Sequence, residues 1–357
     1  MKSMDEELNM VLEGVRSRAG GHDLSGTWPE HDLRELGRIG AMRWAVPAEF
    51  GGEDLDALEL HHRYERIAAA SVATALILTQ RDSAVAMIAD QADFPHRERL
   101  LRQLCRAESF ATVGIAQLTT SRRYGEAALR AHRESSGWRL RGVIPWSTGA
   151  ARAEHIVAGA VTDDGQQLLF VLQTNLKGVT VDPPMPLVAL RSSWTSLVQC
   201  EDVRLADDWV LAGPAEKVLG ARSKSVPAGQ AFIAMGLCRA ALDLIAAHPA
   251  PQARDAHMRL GRRLAEIRAQ LHELCSPTSS QADPAAASAA VRGAVNDLAV
   301  RITHAAVALY KGSALLADHP AQRLAREAMF LLVWSCPSPV VDCTLSMLLS
   351  PIDPQEQ

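Results

Sequence analysis

Residues 137–150 read GWRLRGVIPWSTGA and set Trp146 two positions ahead of Thr148. An indole at a strand end is a flat apolar wall for a planar aromatic ring, and a hydroxyl beside it can donate to a ring nitrogen or carbonyl. The structural reading of the same pair is a tryptophan capping a β-core with a threonine in the following turn. Residues 114–123 (GIAQLTTSRR) add Gln117, Thr119, Thr120 and Ser121 as hydrogen-bonding groups. Gln117 can hold a ring carbonyl or an amide, and the same stretch is equally an ordinary polar loop. Acid–base chemistry has few candidates: His319 beside Asp318, and Glu327 on the next predicted helix. His61 and His62 lack metal-ligand spacing, and six cysteines without any CxxC pair imply reduced thiols, with neither a zinc site nor a disulfide framework.

These groups need elements to carry them. Up to about residue 108, apolar residues recur three and four positions apart, which is helix periodicity, interrupted at PAEFGGED (47–54) by a turn. Short β-type runs follow at 110–115, 138–143, 155–161, 167–172, 178–181 and 195–205, divided by turn residues such as Asp163-Asp164-Gly165. From about residue 225 helix periodicity returns, over 231–247, 256–274, 285–316 and 321–334, with SPTSSQADP (276–284) as a loop. The expected fold is α+β: an N-terminal helical domain (1–108), a small β-barrel or sandwich (109–213) and a C-terminal helical domain (214–357). A doubly wound α/β fold would alternate throughout and is excluded.

The 357 residues suffice for two or three packed units. With 48% apolar and 22% charged residues the composition is that of a globular protein, and no uninterrupted apolar run approaches a membrane span. The net charge of −4 has no one-signed block behind it, so no nucleic-acid partner is expected. Arg259, Arg262, Arg263 and Arg268 fit one solvated helical face, with a phosphate-binding face as the alternative. The first 13 residues lack a basic n-region and an apolar h-region, which places the protein in the cytoplasm as an expectation.

Three segments resemble the acyl-CoA dehydrogenase superfamily. Residues 36–56 (LGRIGAMRWAVPAEFGGEDLD) resemble its N-terminal helix-loop, and residues 137–150 its flavin-facing strand end. Residues 191–211 (RSSWTSLVQCEDVRLADDWVL) resemble the end of its β-domain, with Arg191, Ser193, Thr195, Asp202, Val203 and Leu211 in step. More loosely, residues 319–328 (HPAQRLAREA) are similar to the segment that precedes the family's catalytic glutamate. The resemblance implies a flavin, FAD, held by Gln117, Thr119, Trp146 and Thr148. It also implies an acyl thioester substrate contacted by Ser121 and Arg191, and a homo-oligomer, a dimer or tetramer.

Several positions depart from the family pattern. The glutamate that removes a substrate α-proton falls here on Ser335, whose hydroxyl is too weak a base for that task. The alternative base position near 226–230 has no carboxylate either, leaving Glu327 as the remaining candidate. The segment expected to reach the cofactor's diphosphate has become IAAHPAPQARDAHMR (245–259), shortened by two prolines. Lys311 replaces the first glycine of a paired-glycine motif, with Arg254, Arg259 and Lys311 as alternative phosphate partners. The resemblance thus implies a flavin-dependent oxidoreductase acting on the CH–CH group of an acyl thioester. Two alternatives stand beside it: a flavin monooxygenase or oxidase, which needs no α-proton removal, and a cofactor-free binding or scaffold protein.

Overall fold

The computed structural model describes residues 4–119, 127–219, 228–276 and 282–349. Five helices come first: α1 (Met4–Ser25), α2 (Glu30–Arg38), α3 (Ala57–Ala70), α4 (Val72–Ala89) and α5 (Arg97–Cys105). The β segment holds β1 (Ala111–Gly114), the short helix α6 (Ala116–Thr119), β2 (Leu129–Arg133) and β3 (Trp138–Ser147). It continues with β4 (His155–Thr162), β5 (Gln167–Gln173), β6 (Val179–Val181), β7 (Ser196–Leu205) and β8 (Val210–Ala215). Helices α7 (Gly229–Ala246), α8 (Pro251–Cys275), α9 (Pro284–Tyr310), α10 (Pro320–Leu331) and α11 (Ser338–Leu349) complete the chain. The order of helices, strands and helices is the expected one; β2, β8 and α11 are additions, and so is α6, which lies within the stretch expected to be a polar loop.

Packing divides the chain into two units. The first is Met1–Val15, Ser25–Leu60 and Ala73–Ser223; the second is Arg16–Leu24, His61–Val72 and Lys224–Gln357. The N-terminal helices are shared between them.

The first unit is built on one eight-stranded sheet in the order β6-β7-β3-β2-β4-β5-β8, with β1 pairing parallel to β4 off that path. Most pairs are antiparallel, and β2 meets β4 in parallel. One apolar cluster joins Leu140 and Ile144 of β3 to Ile156 and Ala158 of β4, Phe170 of β5 and Val198 of β7. Strands that are not neighbours in the sheet share that core, so the sheet curls around it as a small barrel does. The opposite face of β4 and β5 presents Val157, Leu169 and Val171 to Val85 and Ile88 of α4 and Leu100 and Leu101 of α5. Covered on both faces, β4 and β5 are near-continuous apolar runs instead of alternating ones.

The second unit is a helical bundle around α9, which packs against α7, α8, α10 and α11. Buried residues of α9, from Ala289 through Leu298 to Ala306, lie all round its axis, as a central helix requires. Proline stands at the first position of α8, α9 and α10, where the missing N–H costs nothing. Asp283 caps α9 by accepting from the Ala285 and Ala286 amides at 3.1 and 3.0 Å. Two expected helices are shorter than their periodicity. The run expected to reach 316 stops at Tyr310, because Lys311 takes a φ of 53°. The run expected to reach 334 stops at Leu331, ahead of Ser335 at φ 48°.

By length and composition α4 and α7 each pass as a membrane span, which the sequence reading had not anticipated, and 67% and 61% of them are buried. Burial of that extent fits core helices of a folded chain.

Candidate functional site

In the first unit the pleat of β3 decides what Trp146 does. Alternation buries Trp138, Leu140 and Ile144, and an irregularity in the pairing with β7 between Ile144 and Ser147 then breaks it, so that Ser147 is buried while Trp146 is 53% exposed. Trp28, Trp44 and Trp138, by contrast, are all buried. Thr148, at the strand end, is buried and begins a chain of hydroxyls: its Oγ1 lies 3.2 Å from Thr195 Oγ1, which lies 2.9 Å from Ser193 Oγ. Backbone bonds from the Gly149 amide to the Ser193 and Trp194 carbonyls, 3.0 and 3.2 Å, fix the two segments together. Gly149 has φ 67°, and a Cβ there would stand 2.9 Å from the Trp28 ring, so glycine is required on both counts.

Gln117, on α6, is 1% exposed. Its amide nitrogen donates to the Gly114 carbonyl at 2.8 Å and to the Gly159 carbonyl at 2.7 Å, tying α6 to β1 and β4. Two carbonyl partners identify the nitrogen, and they leave the amide no donor for a flavin carbonyl. Its Oε1 is buried without a hydrogen-bond partner. β1 passes close to β3 there: a Cβ on Gly114 would stand 2.4 Å from Ile144 Cγ2, and Ser147 Oγ donates to the Val113 carbonyl at 3.4 Å. Thr119 closes α6, and Ser121 lies outside the described residues.

Arg191 is exposed at the start of the Leu190–Trp194 turn, which is flanked by two left-handed residues, Leu190 and Trp194, at φ 58° and 46°. Its guanidinium lies against Gly26, and the Trp194 indole donates to the Gly26 carbonyl at 2.9 Å. Trp194 in turn packs on Trp28 with 5.7 Å between ring centroids. Ser193 and Thr195 are residues whose spacing the sequence marks, without a role; Trp28 and Trp194 are supports that the sequence does not single out.

The acid–base candidates belong to the second unit. Glu327 is 3% exposed and accepts from Arg323 Nη1 at 3.1 Å, one turn away on α10. Burial raises its pKa above the ordinary carboxylate value; the adjacent Arg323 pulls the other way. Held in this way, Glu327 is a structural ion-pair partner instead of a free base. His319 caps α10 by accepting the Ala321 amide on Nδ1 at 3.1 Å. Ser335 is exposed, in a left-handed turn between α10 and α11. Beneath that turn Arg292 is buried, donating to Asn296 Oδ1 at 3.1 Å and to the Trp334 carbonyl at 3.3 Å. No carboxylate neutralises Arg292 among the described residues, and burial pulls its pKa down to about 10. No group of His, Cys, Asp and Glu side chains suited to a metal occurs among the described residues.

Comparison with known proteins follows the same lines. Residues 6–108 match the model of the acyl-CoA dehydrogenase N-terminal domain. The mitochondrial short-chain specific acyl-CoA dehydrogenase of Mus musculus is 23% identical over 331 residues, covering 86% of this chain and 79% of that protein. Among solved structures, the nitrososynthase from Micromonospora carbonacea var. africana superposes with a TM-score of 0.78 at 24% identity, over 98% of this chain and 96% of that one. KijD3, solved with FMN and a dTDP-linked amino-keto sugar, superposes with a TM-score of 0.79 at 24% identity, over 99% and 95% of the two chains. Likeness at this level of identity speaks to the fold. With its helix–sheet–helix order, an N-terminal segment that matches the acyl-CoA dehydrogenase N-terminal domain and relatives that align over most of its length, the chain has the acyl-CoA dehydrogenase fold and is similar to the proteins of that superfamily.

Proposed function

We propose that the protein holds a flavin against the end of β3 and oxidises a small molecule without removing an α-proton through a carboxylate, as a monooxygenase or oxidase of its superfamily would. The observation that carries the first half is the exposed Trp146 indole beside the buried Thr148–Thr195–Ser193 hydroxyl chain. An exposed indole at a strand end is a flat apolar surface, and a planar ring is the partner it fits. Bound there, a flavin supplies the two-electron redox chemistry, while the protein orients it and shields it from water.

The second half rests on Glu327 and Ser335. Glu327 is engaged by Arg323, and from residue 328 to 341 the chain has no Asp or Glu. A hydroxyl such as that of Ser335 can hydrogen-bond a polar substrate but cannot serve unaided as the base for a thioester α-proton. Nitrososynthase, whose name describes chemistry at nitrogen, is among the solved relatives and supports this reading. The relatives that are acyl-CoA dehydrogenases support a second reading, desaturation of the CH–CH group of an acyl thioester. FAD is the cofactor the family implies. FMN is the other candidate, because α7 stops at Ala246 and α8 opens at Pro251 where a longer diphosphate-contacting segment was expected. A homo-oligomer is part of the same proposal.

Purified protein should carry, or take up, a yellow chromophore that heat releases as FMN or FAD. Anaerobic mixing with short and medium acyl-CoA thioesters should leave that chromophore oxidised, whereas chemically reduced holoprotein should consume oxygen. Rapid bleaching by any acyl-CoA would transfer support to the desaturation reading, and failure to retain either flavin would end both.

A further inference from the structure

A cavity of about 200 Å³ lies in the second unit, between the Arg16–Leu24 stretch of α1 and the first turn of α10. Its walls include Arg16, Asp23, Asp318, His319, Gln322 and Arg323. Except for the Asp318–His319 pair, none of these was singled out in the sequence.

The groups that already have partners make the wall rigid. Both oxygens of Asp23 accept from Arg326, which neutralises that carboxylate. Gln322 donates to the Ala317 carbonyl at 2.7 Å and accepts from Arg326 Nε at 2.7 Å, so both ends of its amide are engaged. His319 accepts the Ala321 amide on Nδ1, which leaves its ring proton on Nε2 as a donor.

The unmet groups are mainly donors. Arg323 gives Nη1 to Glu327 at 3.1 Å, but its Nε is buried with no partner. Behind it Glu327 Oε2, on a side chain 3% exposed, is also without a partner, so this ion pair is incomplete at both ends. Arg16 has no hydrogen bond or ion pair among the described residues, and it stands at the exposed rim. The positive end of α10 faces the same space. Asp318, exposed and unpaired among the described residues, is the one free carboxylate on the wall.

We propose that this cavity is a binding site for a small oxyanion, a carboxylate or phosphate of a few non-hydrogen atoms, taken by Arg16 and Arg323, with Asp318 receiving a hydroxyl or ammonium of the same molecule. Planar guanidinium groups match the oxygens of carboxylate and phosphate, and two of them line this one small space. The space is below that of a drug-sized pocket, which restricts the ligand to small metabolites. The proposal is independent of the flavin reading.

Calorimetric titration of the full-length protein with inorganic phosphate and with acetate, at constant ionic strength, tests it. Saturable binding of either anion at one site is expected, and the stronger of the two identifies the chemical class. Arg16→Glu, at an exposed position that leaves the fold intact, should weaken binding about tenfold or more, the equivalent of one charge-assisted hydrogen bond. The paired change Arg323→Met with Glu327→Leu removes the buried charges together and should abolish it. Absence of saturable binding by both anions would show a water-filled cavity only, and unchanged affinity in Arg16→Glu would equally overturn the proposal.

Discussion

Arg323 and Glu327 face each other one turn apart on α10, the guanidinium donating across 3.1 Å to a carboxylate that is 3% exposed. A carboxylate held in this way supports the helix bundle, and its proton is governed by burial more than by any substrate.

Removing one partner should be costly and removing both should not. Glu327→Ala should lower stability by about 3–5 kcal/mol, since it leaves a buried guanidinium uncompensated. The double change Arg323→Met, Glu327→Leu should stay within about 1–2 kcal/mol of the parent. Urea unfolding followed by circular dichroism measures both; equal losses would mean the pair is solvated.

The pH dependence of stability has a definite sign at this residue. The folded chain holds the Glu327 proton more tightly than the unfolded chain, whose value is near 4.5. The contribution is complete below that value and is lost as pH rises through the raised folded value. Glu327→Gln should remove that decline, which unfolding midpoints taken at closely spaced pH values would register. A parent protein whose midpoint rises over the same window relative to Glu327→Gln would contradict the assignment.

Lys311 holds φ 53° and ψ −136° at the end of α9, a conformation that glycine adopts without strain and lysine does not. Lys311→Gly should therefore stabilise the protein by about 1 kcal/mol, despite the greater freedom glycine gives the unfolded chain. A lower melting temperature in the variant would show that the lysine side chain contributes more than its backbone costs.

Gly159 should tolerate no side chain. A Cβ there would come within 2.2 Å of Leu118 Cδ1 and push α6, with Gln117, away from the sheet. Gly159→Ala should cost about 1–3 kcal/mol in thermal or urea unfolding, in the range of other overpacked cores. A neutral result would mean that α6 moves freely.

Much of this fold was legible because each kind of periodicity coincides with a kind of packing. Trp138, Leu140 and Ile144 alternate because β3 has one buried face, and the apolar runs of β4 and β5 stand out because both of their faces are covered. β2 escaped notice because five residues, LRAHR, carry too little alternation to rise above their charges. The end of α9 lies at 310 and not at 316 because Lys311 carries no sequence mark of a left-handed residue, as Gly would. The Trp146–Thr148 pair was recognisable by motif. The hydroxyl chain through Thr195 and the clamp by Gln117 depend on contacts between segments far apart in sequence, which spacing cannot encode. The Arg323–Glu327 pair has ordinary helical i,i+4 spacing, but only burial distinguishes it from a solvated one.

The central claim is that the outward-facing indole of Trp146 forms a wall for a flavin ring. Titration of the apoprotein with FMN and with FAD, followed by flavin fluorescence, tests it most directly. Saturable quenching by the parent protein is expected, with affinity weakened about tenfold or more in Trp146→Ala, or roughly 1.4 kcal/mol, and largely restored in Trp146→Phe. Failure of the parent to bind either flavin, or a Trp146→Ala variant that binds as tightly as the parent, would contradict the account.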